Sequence, residues 1–357
     1  NLNFKITLIR GSFMKIKNNI KLSICIPTFN RSKYLNNCLN SILIAKSYSS
    51  LKFEICISDN NSKEKILPII KYYKKKKLDI NYKKNNKNLG FGSNFYKVVK
   101  MAKGEFIWVI GNDDLLYMDA FKKLDKLFSK NKDVDFFFIN SSSLNSKFVF
   151  NHKQPFNTKK IPKNLISFSK LKKNKKTKFF NLIHPSVSWD FLLGIFLTIY
   201  KRKKFIKNIN ILDKKKLNDP RVWSTIDNTA PHVKVFSYAF RNSNSYIQAK
   251  PLSINLFGDK GWSQTYPFVL IIRIPEILDI YRKNGLPFLS YVKLKNYSLK
   301  KFIPLMYFII KNKKSSNFKY ISLKKNIINN IFYPNVYFFG FYYVIKKIYS
   351  QFLRVFR

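Results

Sequence analysis

Acidic residues are scarce in this chain of 357 residues, where 18 Asp and Glu stand against 68 Lys and Arg and the formal net charge is +50. Such an excess suggests nucleic acid as a partner. The lysines are nevertheless spread along the whole chain among many Asn and Ile, a bias that AT-rich codons also produce. An anionic membrane surface is the favoured partner, since each basic residue near it contributes about 1 kcal/mol.

Cysteine and long apolar runs are also rare. The three cysteines, Cys25, Cys38 and Cys56, have no metal-ligand spacing, and we expect Cys25 and Cys56 to be core residues in a reducing cytoplasm. The longest apolar runs, Phe302 to Ile310 and Val336 to Ile345, are shorter than the ~18 residues that span a bilayer. No secretory signal is visible. These absences predict a cytoplasmic protein that does not cross the membrane.

Two common phosphate-binding motifs are missing or incomplete. No Gly-x-x-x-x-Gly-Lys-Ser/Thr sequence occurs, which disfavours a phosphate-loop ATPase. Gly90-Phe91-Gly92 resembles the start of a dinucleotide fingerprint, but Phe95 stands at the third glycine position and the motif follows the third predicted strand. A dehydrogenase is therefore disfavoured.

What the chain does contain is a regular alternation of apolar runs and amphipathic stretches. Buried strands are predicted from Leu22, at 53–58, 80–82, 106–110 and 134–139, with helical patterns between them. This alternation predicts βαβ units, and therefore an α/β fold of Rossmann type with a mainly parallel sheet flanked by helices.

Changes in composition predict four regions. Residues 1–20 form an N-terminal extension, in which Met14 resembles an ordinary start, and residues 21–140 form a nucleotide-binding half. Residues 141–264 form a second half, with a flexible loop near 145–180 and a strand-like run from Val233 to Tyr238. Residues 265–357 are helical, basic and aromatic. Their helices suit either a membrane interface or a cap on the α/β half, and both remain open.

Polar loops follow four of the predicted strands. They are Pro27 to Arg31, Asp59 to Asn61, Asn88 to Asn94 and Asn112 to Asp114. In open α/β sheets the carboxyl ends of the strands bind the ligand. Asp59 is suited to a base or ribose, Arg31 to a phosphate, and Asp114 to a divalent ion on a diphosphate. Capping of the following helix is the alternative role for the Asp pair.

The segments 22–31, 57–62, 88–90 and 104–114 together resemble the family 2 glycosyltransferases of GT-A fold, and within them bacterial surface-polysaccharide enzymes of the abequosyltransferase-like kind. The resemblance covers about residues 20–140. It implies inverting transfer of a sugar from a nucleotide-diphosphate donor to a glycan acceptor, which we expect to be lipid-linked, by an enzyme peripheral on the inner face of the membrane.

The same resemblance implies the roles of individual residues. Pro27, Thr28 and Arg31 would border the nucleotide and Asp59 its base, while Asn88 and Gly90 would shape the donor pocket. Residues Asn112, Asp113 and Asp114 occupy the position of the Asp-x-Asp motif. Asp113 would lie near the ribose, and Asp114 would bind Mg²⁺ or Mn²⁺. Asn112 replaces a more usual Asp and removes one negative charge, which weakens the expected affinity for metal.

Inverting transfer needs a general base, normally a carboxylate of the second half. Asp190 is preferred, because burial beside Trp189 would raise its pKa, and Asp227 is second. The further carboxylates considered are Asp213, Asp219, Asp259, Glu276 and Asp279. His184 and His232 are optional third metal ligands or structural residues. The alternative function is a non-enzymatic basic nucleic-acid or glycan-binding protein, which would show strongly salt-dependent affinity.

Overall fold

A computed structural model of the protein describes residues 20–258 and 263–355. The predictions for the N-terminal extension up to residue 19 and for Asp259 lie outside these residues. The strands are β1 Leu22–Thr28, β2 Phe53–Asp59, β3 Ile80–Lys84, β4 Phe106–Val109, β5 Asp114–Leu116, β6 Phe136–Asn145, β7 Ile166–Ser167, β8 Lys175–Lys178, β9 Thr198–Lys201 and β10 Asn244–Phe257.

The helices lie between and after these strands. They are α1 Ser32–Lys46, α2 Leu67–Lys75, α3 Gly90–Met101, α4 Ala120–Lys130, α5 Ser146–Phe150, α6 Arg202–Asn208, α7 Lys214–Leu217, α8 Ile226–Thr229, α9 Pro231–Ala239, α10 Tyr266–Phe268, α11 Ile274–Lys283, α12 Phe288–Ser298, α13 Phe302–Lys311, α14 Asn329–Ile331 and α15 Pro334–Val355. A π-helical turn, Val269–Arg273, joins α10 to α11.

One sheet runs through the α/β part, in the strand order β3-β2-β1-β4-β9-β6-β10-β5. The ladders β3-β2-β1-β4 are parallel, and so is the long pairing of β6 with β10. Strand β9 enters between β4 and β6 in antiparallel direction. Most paired residues lie in parallel ladders, and the predicted α/β class with flanking helices is confirmed.

The central strands are buried on both faces because successive side chains point to opposite sides. On β1, Ile24 and Ile26 pack with α1, α2 and α4, whereas Cys25 packs on the other side with α3 and α9. Cys25 and Cys56 are fully buried and free, which confirms them as core residues. The two layers of helices fix the sheet, and with it the loops at its carboxyl edge.

One predicted strand is a helix, and one alternative role of the acidic turn is excluded. The run Val233 to Tyr238 was expected to be a strand but lies in helix α9, where Pro231 occupies the first turn and Val233 and Phe236 are buried. Packing of that face overrides the β preference of valine. Capping of the next helix by Asp113 or Asp114 is also excluded, because α4 begins only at Ala120 and Asp114 starts the strand β5.

The segment 145–180, expected to be a flexible loop, contains α5, β7 and β8, and Phe156 within it is fully buried. From residue 266 the described chain is helical. Helices α13 and α15 pack closely, since a side chain at Gly340 would collide with Ile303. No described helix has both the length and the hydropathy needed to cross a membrane.

Candidate functional site

The predicted loops meet at the carboxyl edge of the parallel strands, around an open cavity of about 580 Å³. Seven of the residues predicted for the site line this cavity: Pro27, Thr28, Arg31, Asn88, Gly90, Asn112 and Asp113. Asp59, Asp114, Asp190 and Asp227 are not part of the lining. The structure therefore brings together most of the candidate donor-binding residues and separates the carboxylates into different environments.

Asp113 is the carboxylate of the acidic turn that faces the cavity. Its Oδ2 lies 3.3 Å from the Nη1 of Arg31, and the two side chains keep 18% and 25% of their surface exposed. Arg31 is further held over the ring of Tyr34, with 4.9 Å from the guanidinium carbon to the ring centre. A carboxylate beside a guanidinium, both open to one cavity, offers partners of both signs to a charged ligand.

Asp114 points away from the cavity into the fold. It is 1% exposed, its Oδ2 accepts the backbone N–H of Gly111 at 2.6 Å, and its Oδ1 accepts the amide of Asn255 on β10 at 2.8 Å. Since β5 pairs antiparallel with β10, the carboxylate joins the turn to the neighbouring strand. These two hydrogen bonds stabilise the turn from which Asp113 faces the cavity.

Asn112 and Thr28 form another internal contact of the site. The Asn112 amide donates to Thr28 Oγ1 at 2.7 Å and is 7% exposed. The side chain therefore links the carboxyl ends of β1 and β4. A neutral amide serves this contact well, because it donates a hydrogen bond that a carboxylate in its place would be unable to donate.

Asp59 is fully buried at the end of β2, beside the cavity. Its two oxygens accept the backbone N–H of Ser62 and the hydroxyl of Tyr82, each at 2.8 Å. Burial and the hydrogen bond to Asp59 raise the pKa of Tyr82. Asp59 thus fixes the turn after β2, and a contact with the base of a nucleotide would be additional to these two hydrogen bonds.

Asn60, which follows Asp59, organises the loop before α3. Its amide nitrogen donates to Asn88 Oδ1 at 2.7 Å and to the carbonyl of Gly90 at 3.3 Å, and its oxygen accepts the N–H of Leu89 at 2.9 Å. Gly90 has φ +75°, a conformation that glycine adopts at little cost. Asn60, at the end of β2, therefore stabilises the conformation of the loop 88–90.

Asp190 and Asp227, the two candidate bases, occupy different surroundings. Asp190 lies in a 3₁₀ turn, Trp189–Leu192, and is an exposed residue, which corrects the prediction that it is buried. The protein atoms around its carboxyl nevertheless desolvate it and raise its pKa. Asp227 is 4% exposed and accepts the N–H of Asp213 at 2.9 Å and the ammonium of Lys234 at 2.7 Å. The carboxylate of Asp227 thus serves a buried ion pair.

Neither of the two candidate histidines, His184 and His232, lines the cavity. His232 is buried between Phe95 and Phe236, and desolvation lowers its pKa to about 3. His184 is bonded through Nδ1 to Ser186 at 2.7 Å on the surface. Within residues 20–258 and 263–355, no three His, Cys, Asp or Glu side chains are grouped for a metal ion.

Sequence reasoning did not single out several residues that line the cavity. Phe29 and Phe91 stand in it with 40% and 42% of their surface exposed. Both lie inside the polar loops 27–31 and 88–94, and an aromatic residue in such a loop is the signal that marks them. Ile195, Pro220 and Val222 come from the second half, where no sequence pattern indicated them.

The parallel strands and the cavity at their carboxyl edge define the class, an α/β domain that binds its ligand at the ends of the strands. Residues 23–190 match Glycosyl transferase family 2. The chain therefore carries a domain of glycosyltransferase family 2.

Known relatives agree with this assignment over part of their length. The chain is 37% identical to abequosyltransferase RfbV of Salmonella typhimurium over 114 residues, which cover 32% of this chain and 34% of that protein. It is 30% identical to poly(ribitol-phosphate) β-N-acetylglucosaminyltransferase TarS of Staphylococcus aureus over 104 residues, or 29% of this chain and 18% of that one. The matched part thus spans about a third of RfbV and less of TarS.

The fold has solved counterparts over a larger share of the chain. The structure of S. aureus TarS 1-349 in complex with UDP aligns with a TM-score of 0.54 and 16% identity, over 80% of this chain and 72% of that one. The complex of the same protein with UDP-GlcNAc gives 0.53 and 18%, over 81% and 73%. At these identities the alignment establishes the shared fold.

Proposed function

We propose that the protein is an inverting glycosyltransferase that moves a sugar from a nucleotide-diphosphate donor to a glycan acceptor in bacterial surface-polysaccharide synthesis. The observation that supports this most directly is the Asp113–Arg31 pair in the cavity formed by the family 2 loops. Within this arrangement, Arg31 binds a phosphate oxygen, and Phe29 and Phe91 contact the flat or apolar faces of the donor.

A divalent cation fits this site through Asp113. Mg²⁺ is commonly bound by one or two carboxylates together with substrate phosphates, so a single carboxylate that faces the cavity meets the requirement. The sequence prediction placed the metal on Asp114, but both oxygens of that side chain are occupied by Gly111 and Asn255. We therefore assign the metal to Asp113. When bound, Mg²⁺ or Mn²⁺ supplies positive charge that stabilises the leaving diphosphate.

Asp190 is the proposed general base. Its raised pKa makes it a better proton acceptor than an ordinary Asp, and it lies on the turn that leads to Ile195 in the cavity wall. The acceptor hydroxyl oxygen attacks the anomeric carbon of the donor and its proton passes to Asp190. The bond from that carbon to the diphosphate oxygen breaks, and the configuration inverts.

The direct test is a thermal-shift screen of UDP, GDP, CDP and dTDP sugars, each with and without Mn²⁺. A ligand at 100 times its Kd adds about 2.7 kcal/mol to stability, which is easily measured. Stabilisation by one donor class, absent in Asp113→Asn, supports the proposal. Stabilisation by oligonucleotides alone would instead support the nucleic-acid-binding alternative.

We also propose that the protein works at the cytoplasmic face of a membrane, where a lipid-linked acceptor would be available. Helix α15 carries an exposed apolar stripe at helical spacing, each of its residues 49% to 70% exposed: Phe338, Phe341, Tyr342, Ile345, Ile348 and Tyr349. Residues 288–355 contain 12 Lys, one Arg and no Asp or Glu. An exposed apolar face with basic residues around it matches an anionic lipid surface, whereas two such faces on paired copies would repel.

Vesicle sedimentation tests this second proposal. We expect the protein to bind phosphatidylglycerol-containing vesicles more tightly than neutral phosphatidylcholine vesicles, and Phe338→Ser with Phe341→Ser to weaken that binding. Ile166→Ser is the matched control, because Ile166 is an apolar side chain 81% exposed on β7. Equal vesicle binding by the double variant and the wild type would contradict the proposed membrane face. So would a double variant that still binds vesicles but no longer forms a dimer that the wild type forms.

A further inference from the structure

Next to the loop 88–94, part of the cavity wall is a short segment of the second half, residues 219–224, which we call the wall loop. Pro220 and Val222 of this loop line the same cavity as Asp113 and Arg31. Trp223 has φ +59°, a left-handed conformation that costs energy for a bulky residue. Such a conformation persists only when surrounding contacts hold it. The residues that contact the wall loop therefore also determine where Pro220 and Val222 stand in the cavity wall.

One edge of the wall loop is held from within the α/β part. The Asn228 amide donates to the carbonyls of Asp219 at 3.1 Å and Arg221 at 2.9 Å. Asp219 in turn accepts two side-chain hydrogen bonds from Arg221, at 2.8 Å and 2.6 Å, and this pairing holds the pKa of Asp219 well below its usual range. The carboxylate of Asp219 is therefore committed to the loop itself.

The other edge is held by the C-terminal helical region. Arg273 donates through Nε and Nη2 to the carbonyl of Trp223, at 3.2 Å and 3.1 Å, and through Nη2 to the carbonyl of Ser224 at 2.6 Å. Asn317 donates to the carbonyl of Val222 at 3.0 Å. Three successive backbone carbonyls of the wall loop are thus bound by side chains from beyond residue 265.

Arg273 is itself fixed by a buried network. It ends the π-helical turn and is 4% exposed, and its Nη1 is hydrogen-bonded to Glu276, which is 5% exposed. The other oxygen of Glu276 accepts from Asn326 at 3.0 Å and lies 3.0 Å from the ammonium of Lys325. A buried charge is costly unless it is paired, so the full set of partners indicates a site that maintains a defined geometry.

We propose that Arg273 is a positioning residue, which together with Asn317 holds the wall loop in the conformation that completes the candidate donor cavity. The C-terminal helical region is then part of the catalytic unit as well as the proposed membrane face. This inference rests on the proposed glycosyltransferase function for its kinetic consequence. The anchoring of the loop itself is measurable without any ligand.

Asn317→Gly is the cleanest perturbation. Asn317 has φ +62°, which glycine adopts freely, so the variant removes the hydrogen bond to Val222 and leaves the backbone unstrained. Lys77→Gly is the matched control, because Lys77 also has φ +62° but follows α2, away from the cavity. Arg273→Lys is the stronger variant: it keeps the charge for Glu276 but loses the planar fork that reaches two carbonyls.

Amide hydrogen exchange of residues 219–224 gives the first readout. We expect faster exchange there by about five-fold in Asn317→Gly, the effect of one lost hydrogen bond, a larger increase in Arg273→Lys, and no change in Lys77→Gly. Unchanged exchange in both variants overturns the anchoring. This result does not depend on whether the protein transfers sugars.

The second readout is steady-state kinetics with whichever of the UDP, GDP, CDP or dTDP sugars the wild type hydrolyses. A loop that is correctly placed for a smaller fraction of the time raises the apparent KM in proportion. We expect KM to rise in Asn317→Gly by at most about five-fold, the limit that one lost hydrogen bond sets, with no more than the small fall in Tm that such a loss gives. Faster exchange with unchanged KM and kcat overturns the positioning role. If the wild type binds and hydrolyses none of the donors, the proposed function fails, and the exchange result still decides the anchoring.

Discussion

Replacing each of two adjacent aspartates by asparagine separates a ligand-binding carboxylate from a structural one. Asp113→Asn and Asp114→Asn make the same chemical change at neighbouring positions. Asp113 faces the cavity and is paired with Arg31 at 3.3 Å, whereas Asp114 is buried between the N–H of Gly111 and the amide of Asn255. Each variant is therefore the matched control of the other.

The expected cost in stability follows from these contacts. In Asp114→Asn the new amide keeps one acceptor oxygen for two buried donors, so one charge-assisted hydrogen bond is lost and one donor is left unsatisfied. Such bonds are worth about 1.5–3 kcal/mol, and an unsatisfied buried group costs about 1–3 kcal/mol. We expect a loss of about 3 kcal/mol. Asp113 takes part in a partly exposed ion pair, whose removal costs about 1 kcal/mol or less.

The expected cost in activity is the reverse. Asp113→Asn removes the negative charge proposed to hold the metal and diphosphate, so kcat/KM for the donor should fall at least about 100-fold. Asp114→Asn, assayed below its own unfolding temperature, should retain more activity than Asp113→Asn. Urea unfolding and donor hydrolysis measure the two effects. Full turnover in Asp113→Asn, or wild-type stability together with lost turnover in Asp114→Asn, would refute the reasoning.

Three further predictions follow from named contacts. Asp190→Asn should lower kcat by about 10²–10⁴-fold at unchanged or slightly higher stability. Because the protein atoms around the carboxyl of Asp190 desolvate it and raise its pKa, wild-type kcat should fall on the acid side at a higher pH than an ordinary Asp gives, and a pH–rate profile checks this. Burial alone would raise the pKa of Glu276, but Arg273, Asn326 and Lys325 outweigh it and lower that pKa, so the contribution of Glu276 to stability is present above pH 4.5 and is lost as the pH falls through the folded-state pKa. Glu276→Gln should reduce the loss of unfolding free energy at acid pH in urea titrations, and an unchanged loss would count against the pairing. Asn60→Asp keeps the acceptor for Leu89 but sets an oxygen against Asn88 and the Gly90 carbonyl, so donor Kd should rise about tenfold in calorimetry, with Asn61→Asp as the neighbouring control.

The sequence alone determined the parallel sheet of this protein and the edge of the sheet at which the candidate site lies. Apolar runs such as Phe106 to Val109, buried on both faces, were enough to predict a parallel sheet, because strands covered by helices on both sides have little polar surface. The order of polar loops after those strands then predicted a common edge, and Pro27, Thr28, Arg31, Asn88 and Gly90 do line one cavity. These features depend on periodicity and chain order, which a sequence records directly.

Other features depended on contacts between distant segments, which local patterns do not record. Asp113 and Asp114 are chemically identical in the sequence; only the pairing of β5 with β10 decided that Asp114 is bound by Asn255, 141 positions away, while Asp113 faces the cavity. Val233 to Tyr238 has the composition of a strand, and packing against the sheet made it a helix. The wall loop has no motif, and its shape comes from Arg273 and Asn317, which lie 49 to 95 positions further along the chain.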